Sequence, residues 1–343
     1  MKKIKLLITV IAVVFFSSSA FSQNLTMPQA SQKAEVKQTI GLSEISIVYH
    51  SPAVKGRTIY GSLVPYDKVW RAGANENTTF SITHDAKIEG QTLPAGTYGL
   101  HMIPTKTDWT IIFSKNSTSW GSFSYDKAED ALRVSVKPVS LNESVEYLNY
   151  GFKDRKAEST VAYLEWDQLR VPFKISFDVK EIVMQSMRNE LRGIEKFRTT
   201  GHLQAAKYCL QNNIHLDEAI KWIDHAMIVK PGFESSSTKA MILEKQGDLE
   251  GSKKLMDESL AKADENELNA YGYQLLGMNK NKEAIEIFKL NIKNHPKSWN
   301  TYDSLAEAYG DDGDKAKSVE YYKMALKNNP PEDQVDRIQT LIK

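Results

Sequence analysis

Between residues 44 and 177 the apolar positions alternate with polar ones. EISIVYH at residues 44–50 sets Ile45, Ile47 and Tyr49 on one face, and TTFSIT at 78–83 repeats the two-residue period. Residues 96–103, 110–114, 132–136, 145–152, 160–166 and 169–177 continue it, rich in β-branched and aromatic side chains. Turn signals separate these stretches: Lys55-Gly56, Glu89-Gly90, Pro94-Ala95-Gly96 and Lys106-Thr107-Asp108. A period of two is that of a strand with one buried face, and many short strands at regular spacing predict an antiparallel β-sandwich or jelly-roll-like domain. Its expected bounds are residues 23–180.

Past residue 180 the period lengthens to that of amphipathic helices. Leu268, Tyr271, Gly272 and Leu275 fall on one helix, and Ala284, Phe288 and Pro296 on a second helix and its end. Tyr302, Leu305, Ala306, Tyr309, Ser318, Tyr322, Ala325 and Pro330 repeat that order. Fainter copies run through Ala240, Leu243, Ser252 and Ser259, and through Ala206, Leu210, Ala219, Ile223, Ala226 and Pro231. The small residues Ala219, Ser252, Ala284 and Ser318 recur at intervals of 33, 32 and 34. This pattern resembles the tetratricopeptide repeat, a helical hairpin that stacks into a solenoid. After Pro330-Pro331, Val335, Ile338, Leu341 and Ile342 suit a capping helix over the last apolar face. The chain is therefore expected to be multidomain β plus α, with the helical repeats at 181–343.

The N-terminus follows a different pattern. Lys2, Lys3 and Lys5 precede an apolar run at 6–16, small residues at 17–20 and an Ala20-Phe21-Ser22 site. This predicts a signal peptide at 1–22, removed to leave Gln23 first. The run is shorter than the roughly 20 residues of a spanning helix, and no cysteine stands near the cut for a lipid anchor. An exported protein, periplasmic or secreted, with no membrane span after cleavage is the expectation. With 44 basic and 43 acidic residues there is no positive surplus for a nucleic acid to meet. The single cysteine, Cys209, allows neither an internal disulfide nor a cysteine metal cluster.

Four stretches carry a resemblance: SPAVKGRTIYGSLVPYDKVWRAGANENTTF from Ser51, LPAGTYGLHMIP from Leu93, WTIIF from Trp109 and WGSFSYD from Trp120. Together they make residues 51–177 similar to a family catalogued as domain of unknown function 2911, in which a helical repeat array commonly follows. The resemblance implies an exported bacterial protein and no established activity.

Candidate chemistry gathers in two of these stretches. In SPAVKGRTIYG, Arg57 follows a glycine turn and suits an anionic group; the alternative is an arginine that only caps or pairs locally. In WRAGANEN, Trp70, Arg71, Asn75 and Glu76 surround Gly73, and can hold a polar ligand with the indole stacked on it, or can pin the loop to backbone carbonyls. His101, on the predicted strand at 96–103, is a further ligand-binding candidate. No metal-ligand spacing of histidines, no nucleophile-elbow serine motif and no phosphate-cradling glycine loop occurs, so no metal and no cofactor is expected. Trp109, Trp120 and Trp166 suit core or rim positions better than a sugar platform.

In the repeats, the inner wall is expected to carry Met241, Glu244, Lys245, Asn269, Tyr273, Asn300, Asp303 and Glu307. Residues 181–343 hold 23 basic and 26 acidic side chains, a mixed wall that suits a polar or basic peptide. The leading expectation is an exported binding or scaffold protein. Its β domain would take a small polar ligand, glycan or envelope component, and its repeats a protein partner. The alternatives are an envelope or polymer hydrolase using Arg71 and Glu76 near Arg57, and a purely structural envelope module.

Overall fold

A computed structural model describes residues 27–229 and 231–343; the signal-like segment 1–22 lies outside them. The described chain separates into two compact units that divide between Val179 and Lys180.

The first unit is two antiparallel sheets. One carries β1 (Gln32–Ile40), β2 (Ser43–Ser51), β3 (Thr79–Ile82), β6 (Gly96–Pro104), β7 (Trp109–Ser114) and β8 (Asp130–Val136), in that spatial order. The other is ordered β5 (Gln91–Leu93), β4 (Ala86–Ile88), β10 (Ser159–Ser176), β9 (Val139–Lys153). The apolar faces meet through Phe80 of β3, Phe113 of β7 and Phe173 of β10, whose ring centroids lie 5.0–6.2 Å apart in edge-on and tilted pairs. All three are buried. Truncating any one to alanine costs about 3–5 kcal/mol.

Two features depart from the sequence pattern. β1 is a polar edge strand whose only buried side chain is Ile40, so it carries no apolar alternation. The stretches at 160–166 and 169–177 are one strand, β10, interrupted by register shifts around Asp167. Before the break Ala162, Leu164 and Trp166 are buried; after it Val171, Phe173 and Ile175 are. The bulge changes which parity faces inward and bends the strand at Trp166.

β2 and β3 are joined by the long connection 52–78, which leaves the first sheet and runs beside the second. Val54 N–H donates to Glu146 O at 2.7 Å and Leu148 N–H to Pro52 O at 2.9 Å, so the connection pairs with β9. It then returns: Trp70 and Met102 exchange backbone hydrogen bonds of 2.8 Å beside β6. A connection this long in a small domain is usually functional.

The second unit is a tetratricopeptide-like array. After α1 (Val179–Glu190) come four helical hairpins: α2 (Thr199–Asn212) with α3 (Leu216–Val229), α4 (Phe233–Gln246) with α5 (Leu249–Leu260), α6 (Glu265–Gly277) with α7 (Asn281–Asn294), and α8 (Trp299–Asp311) with α9 (Lys315–Lys327). The periodic small residues Ala219, Ser252, Ala284 and Ser318 are all buried where paired helices approach. Their neighbours agree: a Cβ on Gly272 would collide with the Phe288 ring of the facing helix. Two of the hairpin turns, α4–α5 and α8–α9, are built from the same parts. Gly247 and Gly313 take φ near +90°, and Asp248 and Asp314 then cap the next helix by accepting from Gly251 N–H and Lys317 N–H. The aspartate run at 311–314 is thus a helix turn. α10 (Glu332–Leu341) buries Ile338 against Ala306, Tyr322 and Ala325, the capping role read from its apolar spacing.

Because each unit has its own core, residues 23–180 and 181–343 expressed separately should each fold. Circular dichroism should show strand signal in the first and helix signal in the second. Failure of both fragments to give cooperative melting would mean that the division is not one of stability.

Candidate functional site

The connection 52–78 builds a cavity of about 420 Å³ in the β unit, with Lys55, Arg57, Trp70, Arg71 and Trp166 among its lining side chains. Its geometry starts at Ala72, a buried non-glycine residue with φ +50°. That conformation costs energy in an L-residue and persists only when its surroundings hold it. Here the fully buried Tyr150 hydroxyl donates to Ala72 O at 2.8 Å, and Thr78 Oγ1 donates to the same oxygen at 3.3 Å. Gly73 is packed rather than free: a Cβ there would fall 2.6 Å from Thr78 Oγ1 and 3.3 Å from His50 O. Trp70 is pinned by its bridge to Met102 and by donating from Nε1 to Gly73 O at 3.2 Å.

Behind the cavity stands a group of aromatic rings. Trp70 stacks on Trp166 at 6.0 Å and meets Trp109 edge-on at 6.4 Å, while Tyr60 packs edge-on against Trp109 and Trp166. Trp109 and Trp166 are buried, as core aromatics, and Trp120 is on the surface. Trp166 also lines the cavity, where the β10 bulge has turned it.

Of the six sequence candidates, the cavity gathers Arg57, Trp70 and Arg71; Asn75, Glu76 and His101 lie outside its lining. Arg57 caps its own turn, donating to Val54 O at 3.0 Å and to Ala53 O, which fixes the guanidinium at the rim. Arg71 makes no hydrogen bond or ion pair among the described residues, and its Nε is buried without a partner. Burial lowers its pKa. Gly121, at φ +65°, lets the turn at 120–123 lie against the Arg71 guanidinium, which any side chain there would strike. Asn75 instead reaches Gln29 Oε1 and Ser31 O, both at 3.0 Å, and tethers the segment before β1. Glu76 Oε2 lies 3.0 Å from His50 Nε2, at an ion-pair distance but off the line a hydrogen bond requires.

His101 is buried in β6, with Nδ1 2.9 Å from Ser122 Oγ and its ring edge-on to Tyr125. Desolvation pushes its pKa down to about 4, against a smaller upward pull from Asp130. The imidazole is therefore neutral at pH 7. Asp130 itself accepts from Tyr125 and Arg133. No carboxylate bonds to His101 among the described residues, so the Ser122–His101 pair lacks the orienting third member of a nucleophilic triad. The cavity lining holds no carboxylate, and Glu76, the acid of the hydrolase alternative, lies outside it. Lys55, His50, Ser122 and Trp166 were not singled out as site residues from sequence. Lys55 had a signal, the same glycine turn that marks Arg57.

Residues 31–175 match the family described as protein of unknown function (DUF2911). The DUF2911 match spans the strands from β1 to β10 and the whole cavity-forming connection. Among solved structures, the chain is similar to a crystal structure of MamA at 15% identity, covering 46% of this chain and 92% of that one with a TM-score of 0.28. It is likewise similar to YrrB, described as a TPR protein with an unusual peptide-binding site, at 13% identity over 47% and 84% with a TM-score of 0.27. PilF of Pseudomonas aeruginosa is similar at 15% identity over 42% and 65%, TM-score 0.26. No curated protein matches the chain.

In the helical unit, neighbouring repeats join residues one period apart. Tyr273 donates to Glu307 Oε2 at 2.7 Å, and Arg337 holds Asp303 through both carboxylate oxygens at 2.7 Å. Asp303 is buried, whereas Glu244, Lys245, Tyr273 and Glu307 are exposed and Met241, Asn269 and Asn300 half-buried. Asp303 is thus spent on the capping helix. A second cavity, of about 430 Å³ around Phe233 and Leu255, includes none of these residues. No helix among the described residues is long and apolar enough to cross a membrane.

The depressed pKa of His101 has a sign that can be measured. Between pH 6.5 and about 4 the unfolded chain binds a proton that the folded chain refuses. Stability contributed by the neutral imidazole is therefore complete above pH 6.5 and is lost as pH falls toward 4, on the order of 3 kcal/mol in all. Urea midpoints of the wild type should fall through this window more steeply than those of His101→Gln. Parallel curves would show that His101 does not carry the effect.

Proposed function

We propose that this chain is an exported binding protein with two docking elements. The repeat wall takes a protein segment, and the DUF2911 cavity takes a small polar ligand. The reading of export rests on the signal-like pattern of residues 1–22.

One observation carries the reading: the cavity is prebuilt and chemically incomplete. Its backbone is fixed by Tyr150, Thr78 and Met102, yet Arg71 faces no partner. Preformed concave sites with a few convergent polar groups are the usual form of a ligand pocket. The repeats supply the second element. A tetratricopeptide-like array is a scaffold whose stacked hairpins form an extended binding surface, and Tyr273, Asn269, Met241 and Glu307 offer it an aromatic, an amide, a thioether and a carboxylate. The Asn269 amide oxygen is buried without a partner.

Photo-crosslinking in the native cell tests the scaffold element. A benzophenone side chain at Tyr273 or Glu244 should give discrete adducts with one and the same protein. The same group at Lys253 of α5 or Glu286 of α7, both exposed on the second helices of their hairpins, should give none. Equal adducts from the α5 and α7 positions, or none from the wall, would contradict the assignment.

A further inference from the structure

We propose that the DUF2911 cavity is a site for a small organic anion, a carboxylate or phosphate ester carried on a ring. The inference rests on the reading above that the cavity takes a ligand, and adds the ligand's charge and shape.

Charge is the first argument. Lys55, Arg57 and Arg71 all line one cavity of about 420 Å³, and no aspartate or glutamate does. Among the described residues none of the three side chains is paired with a carboxylate. Arg57 spends its donors on two backbone carbonyls, and Arg71 spends none. Nearby acids lie outside the lining. Glu146 reaches the rim, where Oε1 accepts from the Lys55 backbone N–H at 3.0 Å, and Glu76 lies against His50. The chain as a whole is nearly neutral, with 44 basic and 43 acidic residues, so the cluster is local and does not follow from a basic composition.

Desolvation is the second argument. A half-buried guanidinium with a buried, unbonded Nε destabilises the fold, because a desolvated donor has lost its water and gained no acceptor. Evolution could have removed that cost with a glutamate in the lining or a neutral residue at 71. Sites that sacrifice stability in this way are characteristically functional. A carboxylate or phosphate would relieve it, since the planar fork of arginine matches two oxygens at once.

Shape is the third. Trp70, half-buried and locked by the Met102 bridge, is backed by the buried Trp166 on which it stacks and forms an aromatic wall beside the cations. Leu63 and Val64 add apolar surface. An inorganic ion would leave that wall unused, whereas a sugar ring or other flat body would cover it. The volume lies within the roughly 300–1,000 Å³ of small-molecule sites.

Isothermal titration of the full-length mature chain at matched ionic strength tests this with four probes: glucuronate, glucose 6-phosphate, glucose and inorganic phosphate. The two sugar anions separate a carboxylate from a phosphate ester as the preferred head group. At least one should bind about tenfold or more tightly than both glucose and inorganic phosphate. Arg71→Gln should abolish that gain without lowering the melting temperature, because it breaks no bond of the folded chain. Glucose binding as well as the sugar anions would overturn the anion and keep the cavity as a ligand site. Inorganic phosphate binding as well as glucose 6-phosphate would overturn the ring. No binding of any probe at about 10 mM, the weak limit of useful affinity, overturns the proposal. If Arg71→Gln also melts lower, the cavity reading falls with it, since Arg71 is then structural.

Discussion

The carbonyl of Ala72 is the point on which the β unit's cavity depends. Residue 72 sits in the left-handed region, where an alanine is strained, and its oxygen is buried. A lone buried carbonyl in strained backbone would cost several kcal/mol and the loop would relax. The Tyr150 hydroxyl, from the second sheet, and Thr78 prevent this together. Ala72 thereby ties the connection across both sheets. Arg71 and Trp70 on one side of it, and Gly73 and Ala74 on the other, inherit their positions. The arginine's exposure to the cavity follows from a tyrosine nearly eighty residues away.

Both units pair partly buried charges: in the β unit Arg133 holds Asp130 and Arg170 holds Glu165. In the repeats, partially buried charges are matched: Arg188 bridges Glu181 and Glu218, and Arg337 grips Asp303. The bonds to Glu218 and Asp303 join separate helices. In the β unit, unpartnered buried polar atoms collect around the connection: His50 Nδ1, Arg71 Nε, Glu76 Oε2 and Asn77 Oδ1. The repeats hold two such atoms, Asn269 Oδ1 and Asn291 Oδ1, so Arg71 stands apart as the charged group of this kind that lines the cavity.

Legibility in the sequence followed the range of the interactions. The repeats were readable because a hairpin is local and its small residues recur at a near-constant period; Gly247-Asp248 and Gly313-Asp314 even show the cap chemistry. The sandwich was readable wherever one face was apolar. β1 was not, because both its faces are largely solvated, and β10 looked like two strands because its bulge reverses the inward parity. The WRAGANEN stretch was correctly dense in polar groups, but density does not tell direction. Asn75 bonds to Ser31 and Glu76 stands beside His50, residues 44 and 26 positions away in sequence. Trp166 was read as a core residue and is one, but a buried ring can still present an edge to a cavity, and only the bulge decides that.

The central claim is that the connection is rigid before any ligand arrives. Amide hydrogen exchange on the unliganded protein addresses it directly. The Trp70 N–H, bonded to Met102 O, and the Ala74 N–H, bonded to His50 O at 3.2 Å, should exchange as slowly as the amides of β6, and Tyr150→Phe should speed both. Exchange of Trp70 and Ala74 in the wild type at the rate of exposed chain would contradict the account, because a mobile connection could not hold Arg71 unpaired at the cavity wall.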